Sequence, residues 1–251
     1  RWQRAVSLAD WWTMADRLRA DRPAASAPFY ANVALAGSAQ LGRLEAVSGS
    51  YFETLRQKPG RGRLLGAADD GERQRVIVIN RWFWRSALRE DAAMLEQPVV
   101  ISGEAYRIVG VLDSAFAGID LNPASPTIGW VPLSTAVSSG LVATDPSEPQ
   151  LTVLVEERGS AGTRQWGQRL SALGAALDIA SPLVDGQTRS GSGRRWSVAT
   201  LDRVTRSSAA TRYLLIGLGR VGGIGLAGAV NLANLTWMLM TSRLHEVSVC
   251  R

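Results

Sequence analysis

The chain is short of the residues that most site chemistry requires. Its one cysteine, Cys250, rules out an intramolecular disulfide framework. Its one histidine, His245, lies close to the end, so residues 1–207 cannot build a Ser-His-Asp or Cys-His site. A single His and a single Cys do not make a zinc site. The only lysine, Lys58, precedes Pro59, so the phosphate-binding sequence G-x-x-x-x-G-K-[ST] is absent and any ATP hydrolysis belongs to another polypeptide. Three acidic pairs remain: Asp69-Asp70, Glu90-Asp91 and Glu156-Glu157. Neighbours in a strand point to opposite faces, and the other two pairs fall in loops or helix ends, so all three read as solvated surface acids. No enzyme activity, cofactor or bound metal is expected.

Clustered basic charge is also missing. The formal net charge is +6, but arginines are interspersed with acids, as Arg17, Arg19 and Arg22 are around Asp16 and Asp21. With no basic cluster interleaved with aromatics, nucleic acid is not an expected partner. A composition of 46% hydrophobic and 20% charged residues is that of a folded chain rather than a disordered one. The start, Arg1-Trp2-Gln3, has neither Met nor a signal peptide's apolar core, and reads as a piece of a longer protein.

One long apolar run is present. Gly217-Leu218-Gly219-Arg220-Val221-Gly222 spells G-x-G-x-x-G, the dinucleotide-binding turn. Such a turn needs a second strand and an acid about 20 residues on. Here the residues stay apolar to Met240, and the next acid is Glu246. Val221–Met240 is 20 uncharged residues, about 30 Å of helix at about 1.5 Å each, which matches a bilayer's hydrocarbon core. The run therefore reads as a membrane span in contact with lipid. Gly219 with Gly223, and Gly225 with Ala229, are small-xxx-small pairs that let a second helix approach. Asn231 and Asn234 share a face and are expected to meet partner helices or a water-filled seam. Arginines flank the run on both sides, so local charge does not orient it.

The body before the run mixes helices and strands. Ser7 is placed to cap a helix carrying Trp11, Ala15 and Leu18, ended by Asp21-Arg22-Pro23. Phe29–Ala36 and Gln40–Val47 read as strands, Ser48 as the cap of a short helix Tyr51–Leu55, and Pro59–Gly62 as a loop. Arg75–Ile79 is a strand, and Asn80 caps a helix with Trp82, Phe83 and Trp84. Pro98–Ile101 and Ala105–Leu112 form a hairpin, and Trp130–Leu133 is a strand end entering a turn. Gln150–Glu156 is a strand and Thr163–Leu177 a helix, followed by a loop Ser181–Gly193 and a strand Arg195–Leu201. Trp11, Trp84 and Trp166 sit at core positions. Without a regular βαβ repeat, the class is α+β.

Five segments resemble one family in the same order. "AVSGSYFETLRQKPGRGRLL" is similar to the V-S-x-x-Y-F…P-x-x-G-R signature of the extracytoplasmic domain of MacB/FtsX-type ABC transporter permeases, through Val47, Ser48, Tyr51, Phe52, Leu55, Pro59, Gly62 and Arg63. "VIVINRWFWRSAL" resembles the strand and aromatic-rich helix that follow. "EQPVVISGEAYRIVGVLDSAFAG" resembles the family's hairpin, with Gly110 in its V-V-G-V ending, and "WVPLSTA" its V-W-V-P-L end, with Pro132. "GAVNLANLTWMLMTSRLHEVSVCR" resembles the opening of the transmembrane core, through Asn231, Ala233, Asn234, Leu235, Glu246, Val247 and Arg251. The nearest likeness is to orphan duplicated permeases.

The resemblance implies a two-lobed extracytoplasmic domain over residues 1–207. One lobe would comprise about 1–46 and 148–207, the other about 47–147 inserted between them. Residues 208–242 would be a transmembrane helix opening the FtsX-like region, and 243–251 the start of a cytoplasmic segment. The chain would sit in the cytoplasmic (inner) membrane as part of a permease for export or mechanotransmission. Its partners would be an ABC ATPase subunit, a second permease copy and a periplasmic adaptor. The competing readings are a single-span extracytoplasmic sensor or interaction domain without ATPase coupling, and a soluble enzyme using Gly217, Gly219 and Gly222 on a dinucleotide.

Overall fold

Ser7 begins the first helix by local chemistry. In the computed structural model, which describes residues 6–35, 38–112, 116, 118–119, 125–142, 150–156 and 162–180, its hydroxyl accepts the Asp10 N–H at 3.1 Å and opens α1 (Leu8–Arg17). Leu8, Trp11 and Met14 of α1 are buried at helical spacing. A 3-10 turn (Arg19–Asp21) leads to a long hairpin, β1 (Ala24–Leu35) and β2 (Ser38–Val47). Then come α2 (Tyr51–Thr54), β3 (Pro59–Gly62), α3 (Ala67–Gly71), β4 (Val76–Ile79) and α4 (Arg81–Leu88). A second 3-10 turn (Ala93–Glu96) precedes the hairpin β5 (Val99–Ile101) and β6 (Glu104–Leu112). β7 (Thr127–Pro132), α5 (Leu133–Ser138), β8 (Thr152–Leu154) and α6 (Thr163–Ala180) follow. The class is α+β.

The strands are hydrogen-bonded in the order β2-β7-β4-β6-β5-β1-β8, with β3 on β6, and the β1–β2 hairpin closes β1 through β2 into a ring. The β2–β7 and β4–β6 pairs are parallel and the others antiparallel. β1 is the hinge of this ring. One of its edges pairs with β2 throughout, and the other pairs with β8 at Ala24–Ser26 and with β5 at Val33–Ala34.

A proline inside β1 shows why the strand runs further than its sequence suggests. The Ala25 carbonyl faces β2, accepting from Ser48, whereas the Asn32 carbonyl faces β5, accepting from Ser102. Residues of even number therefore turn their backbone groups away from β2. Pro28 falls between the β8 and β5 contacts, where no ladder bond is required of it.

Two hydrophobic cores flank the sheet. The larger holds Ala25, Ala27, Phe29, Ala31 and Val33 of β1 together with side chains from α1, α4, α5 and α6. The smaller is built on Tyr51, Phe52, Leu112, Ile119 and Trp130. β4 separates them: Ile77 and Ile79 enter the larger core, Val76 and Val78 the smaller. A strand covered on both faces must be apolar throughout, hence Val-Ile-Val-Ile. Asn80 caps α4, accepting the Phe83 N–H at 2.6 Å. Trp11, Trp84 and Trp166 are buried in the larger core.

Several local expectations are corrected. Pro59–Gly62 is not a loop but a fully exposed edge strand paired with β6. The pairing depends on two glycines. Gly62 has φ of +64°, and a Cβ on Gly110 would lie 2.0 Å from the Arg63 carbonyl oxygen. Trp130–Pro132 is the expected strand end, but a helix follows it rather than a turn, because β7 passes through Pro132 directly into α5. Ser48 does not cap α2. Ser50 occupies that position, and the Ser48 hydroxyl instead accepts the Ala25 N–H at 2.9 Å. No helix among the described residues is long and apolar enough to cross a membrane. The expected span 208–242, with Gly219, Gly223, Gly225, Asn231 and Asn234, lies outside the described residues, as do the loop Ser181–Gly193 and the strand Arg195–Leu201.

Candidate functional site

The most concentrated polar chemistry in the described residues is inside the fold. Glu45 projects from β2 on the face opposite the larger core and is fully buried. Four side chains donate to its carboxylate. Oε2 accepts from the Tyr51 hydroxyl at 3.0 Å, the Trp130 indole N–H at 3.2 Å and the Ser26 hydroxyl at 3.2 Å. Oε1 accepts from the Thr127 hydroxyl at 3.0 Å. Thr127 in turn accepts from the buried Arg43 guanidinium at 2.8 Å. The donors come from β1, α2 and β7, so one carboxylate ties together elements more than 80 residues apart in the chain.

Burial and charge act on this group in opposite directions. Desolvation raises the Glu45 pKa above its ordinary value, and Arg43, followed by the Tyr51, Thr127 and Trp130 donors, opposes part of that rise. Burial, then the adjacent carboxylate, pushes Tyr51 well above the ordinary phenol value, so it stays a protonated donor. Aromatic rings close the site. Tyr51 and Phe52 meet edge to face at 5.3 Å, Phe52 meets Trp130 at 5.7 Å, and Phe116 stacks on Trp130 at 5.8 Å. Gly118, at φ of +94°, passes so close that a Cβ there would lie 2.3 Å from Glu45 Oε1. The carboxylate thus receives four donors and lies among aromatic rings. Its chemical capacity is to hold strands together.

The signature residues converge beside this network. Tyr51 and Phe52 belong to it directly. Ser48 fastens the end of β2 to β1. Pro132 ends β7 opposite Val47, the last residue of β2. Gly62 and Gly110 face each other across β3 and β6. Arg63, next along, makes a two-pronged bond to Asp69 at 2.6 and 2.7 Å. That bond ties the end of β3 to α3.

The acids are where the sequence reading fails. Asp69 is buried, not solvated. Its carboxylate accepts from Arg63 and from the Gly66 N–H at 2.9 Å, and the Arg63 bond leads in holding its pKa below the ordinary value. Asp70 accepts the Ser134 N–H at 2.8 Å and the Gly49 N–H at 3.2 Å, so α3 joins the start of α5 to the loop before α2. Glu90 and Asp91 are exposed, with Glu90 4.0 Å from Arg81. Glu156 pairs with Arg56, and Glu157 lies outside the described residues. Glu45 carries no local mark of burial. The one clue is that it alternates with Arg43 on the same face of a strand whose other face is apolar.

Comparison with known proteins follows the same lines. The family model of the MacB-like periplasmic core domain matches residues 2–165. No curated protein matches the chain. The periplasmic region of MacB from Actinobacillus actinomycetemcomitans superposes with a TM-score of 0.54 at 16% identity, covering 72% of this chain and 76% of that one. The extracellular domain of the ABC-type transporter YknZ from Gram-positive bacteria superposes with a TM-score of 0.51 at 13% identity, covering 70% of this chain and 84% of that one. At these identities the likeness is one of fold.

Proposed function

Because the chain belongs to the MacB-like periplasmic core domain family, we propose that it is the extracytoplasmic domain, and the opening of the transmembrane region, of an ABC-type transporter permease. The observation that carries this reading is the family match over residues 2–165, in which the signature residues surround one closed, non-catalytic network. Residues 1–207 then lie outside the cytoplasmic membrane, in a lobe of about 1–46 and 148–207 and an inserted lobe of about 47–147. Residues 208–242 cross the inner membrane, and 243–251 begin a cytoplasmic segment. The chain performs no catalysis itself. ATP is bound and hydrolysed on a separate subunit, and closure of two permease copies moves the extracytoplasmic domains for export, with a periplasmic adaptor as a further partner.

The closed Glu45 network supports a domain that moves as a rigid piece. A buried carboxylate with every donor in place resists local deformation more than an open pocket would. Crosslinking in native membranes followed by affinity capture of the chain tests the proposal. It is expected to recover a second copy and a polypeptide with a nucleotide-binding ABC ATPase sequence. Recovery of the chain with no such ATPase, in membranes where the permease is assembled, sinks it.

A further inference from the structure

Three ion pairs run around α2 on the side away from Glu45. Glu53 of α2 pairs with Arg22, beside the turn that enters β1. The adjacent Asp21 pairs with Arg169 of α6 at 2.6 Å. Arg56, just past α2, donates to one oxygen of Glu156 through Nε at 3.1 Å and also through Nη2. The pairs join α2 to the 19–22 turn, the turn to α6, and Arg56, just past α2, to Glu156. Uncharged bonds reinforce the first step. The Ser50 hydroxyl donates to the Pro23 carbonyl at 2.6 Å, and the Thr54 hydroxyl to the Arg22 carbonyl at 3.1 Å.

The two sides of α2 face different solvents. Tyr51 binds Glu45 in the dry interior, while the Arg56 side chain is 82% exposed and Glu53 64% exposed. Salt screens exposed pairs strongly, with a Debye length of about 3 Å at 1 M, and leaves buried ones nearly untouched. The residues that α2 and its ends grip, Arg22 and Pro23 on one side and Glu156 on the other, belong to the two stretches of chain flanking residues 47–147.

We infer that α2 is a salt-sensitive latch. Its inner side is anchored on Glu45, and its outer side is fastened by exposed ion pairs to both flanking stretches. That the latch transmits motion from the membrane rests on the proposed function; the latch itself rests on the ion pairs alone.

Hydrogen exchange of the full chain in detergent, at low salt and at 1 M NaCl, tests it with wild type, R56E, E156R and the charge-swapped R56E/E156R. Amides of residues 51–62 are expected to exchange about fivefold faster in R56E, in E156R and in wild type at high salt. Amides of β4 and β7 stay protected, and the swapped pair returns 51–62 to the wild-type rate at low salt. Equal exchange of 51–62 in wild type and R56E overturns the latch, and so does a swapped pair as fast as the single variants. Because exchange is read without nucleotide or ATPase, its failure overturns the latch alone, whereas failure to capture an ATPase overturns the functional reading alone.

Discussion

Replacing Tyr51 by Phe removes one oxygen from the centre of the fold and leaves the ring in place. The hydroxyl bonds Glu45 Oε2 at 3.0 Å, as close as Thr127 on Oε1, and the two other donors on Oε2 stand at 3.2 Å. A hydrogen bond to a charged group contributes about 1.5–3 kcal/mol, and the void left is smaller than a methyl group, so Y51F should cost about 2 kcal/mol at neutral pH. The pH dependence makes the test specific. Burial raises the Glu45 pKa above its ordinary 4.5, so folding favours the protonated acid. That contribution is complete below pH 4.5 and is lost as pH rises through the folded-state value. Losing the Tyr51 donor raises the folded-state value further. The cost of Y51F is therefore largest above this window, where the carboxylate is charged, and shrinks below it. Urea unfolding followed by tryptophan fluorescence reads both quantities, with Trp130 inside the network as the reporter. A cost below about 0.5 kcal/mol at neutral pH, far from the range for a charged hydrogen bond, would refute the reasoning. So would a cost that does not change with pH.

Further perturbations follow from the same contacts. E45Q abolishes the fall in stability with rising pH that Glu45 causes, so melting temperatures of E45Q and wild type should converge toward acid pH; a constant offset across pH contradicts this. D69N removes the two-pronged Arg63 bond and should cost about 1–2 kcal/mol, given that the arginine is half exposed. Because the Asp69 pKa is lowered, its contribution is present above about pH 3.8 and disappears as pH falls through the folded-state value, which a urea series at decreasing pH would follow. G110A drives a methyl into the Arg63 carbonyl oxygen, and exchange protection of β3 should be lost while α1 is unaffected. Removing residues 208–251 should turn a detergent-requiring chain into one that stays in the aqueous fraction; a full chain already soluble without detergent removes the membrane reading.

Local chemistry made α1, α2, α4, α6 and the hairpins legible. Ser7 and Asn80 cap α1 and α4 through bonds to residues three positions on, a pattern written within a few residues. The hairpin over β5 and β6 was visible in its alternation and its Ser102-Gly103 turn. Pro28 was less so: whether a proline breaks a strand depends on what occupies its other edge, and that is decided by β5 and β8, far along the chain. β3 escaped for a similar reason, since four exposed residues with two glycines and a proline become a strand only because Gly110 of β6 lets the backbones meet. The candidate site was legible as a set of signature residues but not as a network. Asp69 and Asp70 looked like ordinary surface acids because Arg63 and Ser134 are brought to them by the fold, and nothing near Glu45 in the sequence announces its partners Thr127 and Trp130.

The central claim is that residues 1–207 and residue 250 lie on opposite sides of the inner membrane. Cys250 is the chain's one cysteine, so a membrane-impermeant maleimide reports its side directly. A second preparation carries C250S with A87C, on the exposed face of α4. In intact cells with the outer envelope opened, A87C should label at once and Cys250 only after the inner membrane is permeabilised. Labelling of Cys250 with protection of A87C would reverse the topology, and protection of both would place the domain in the cytoplasm and contradict the account.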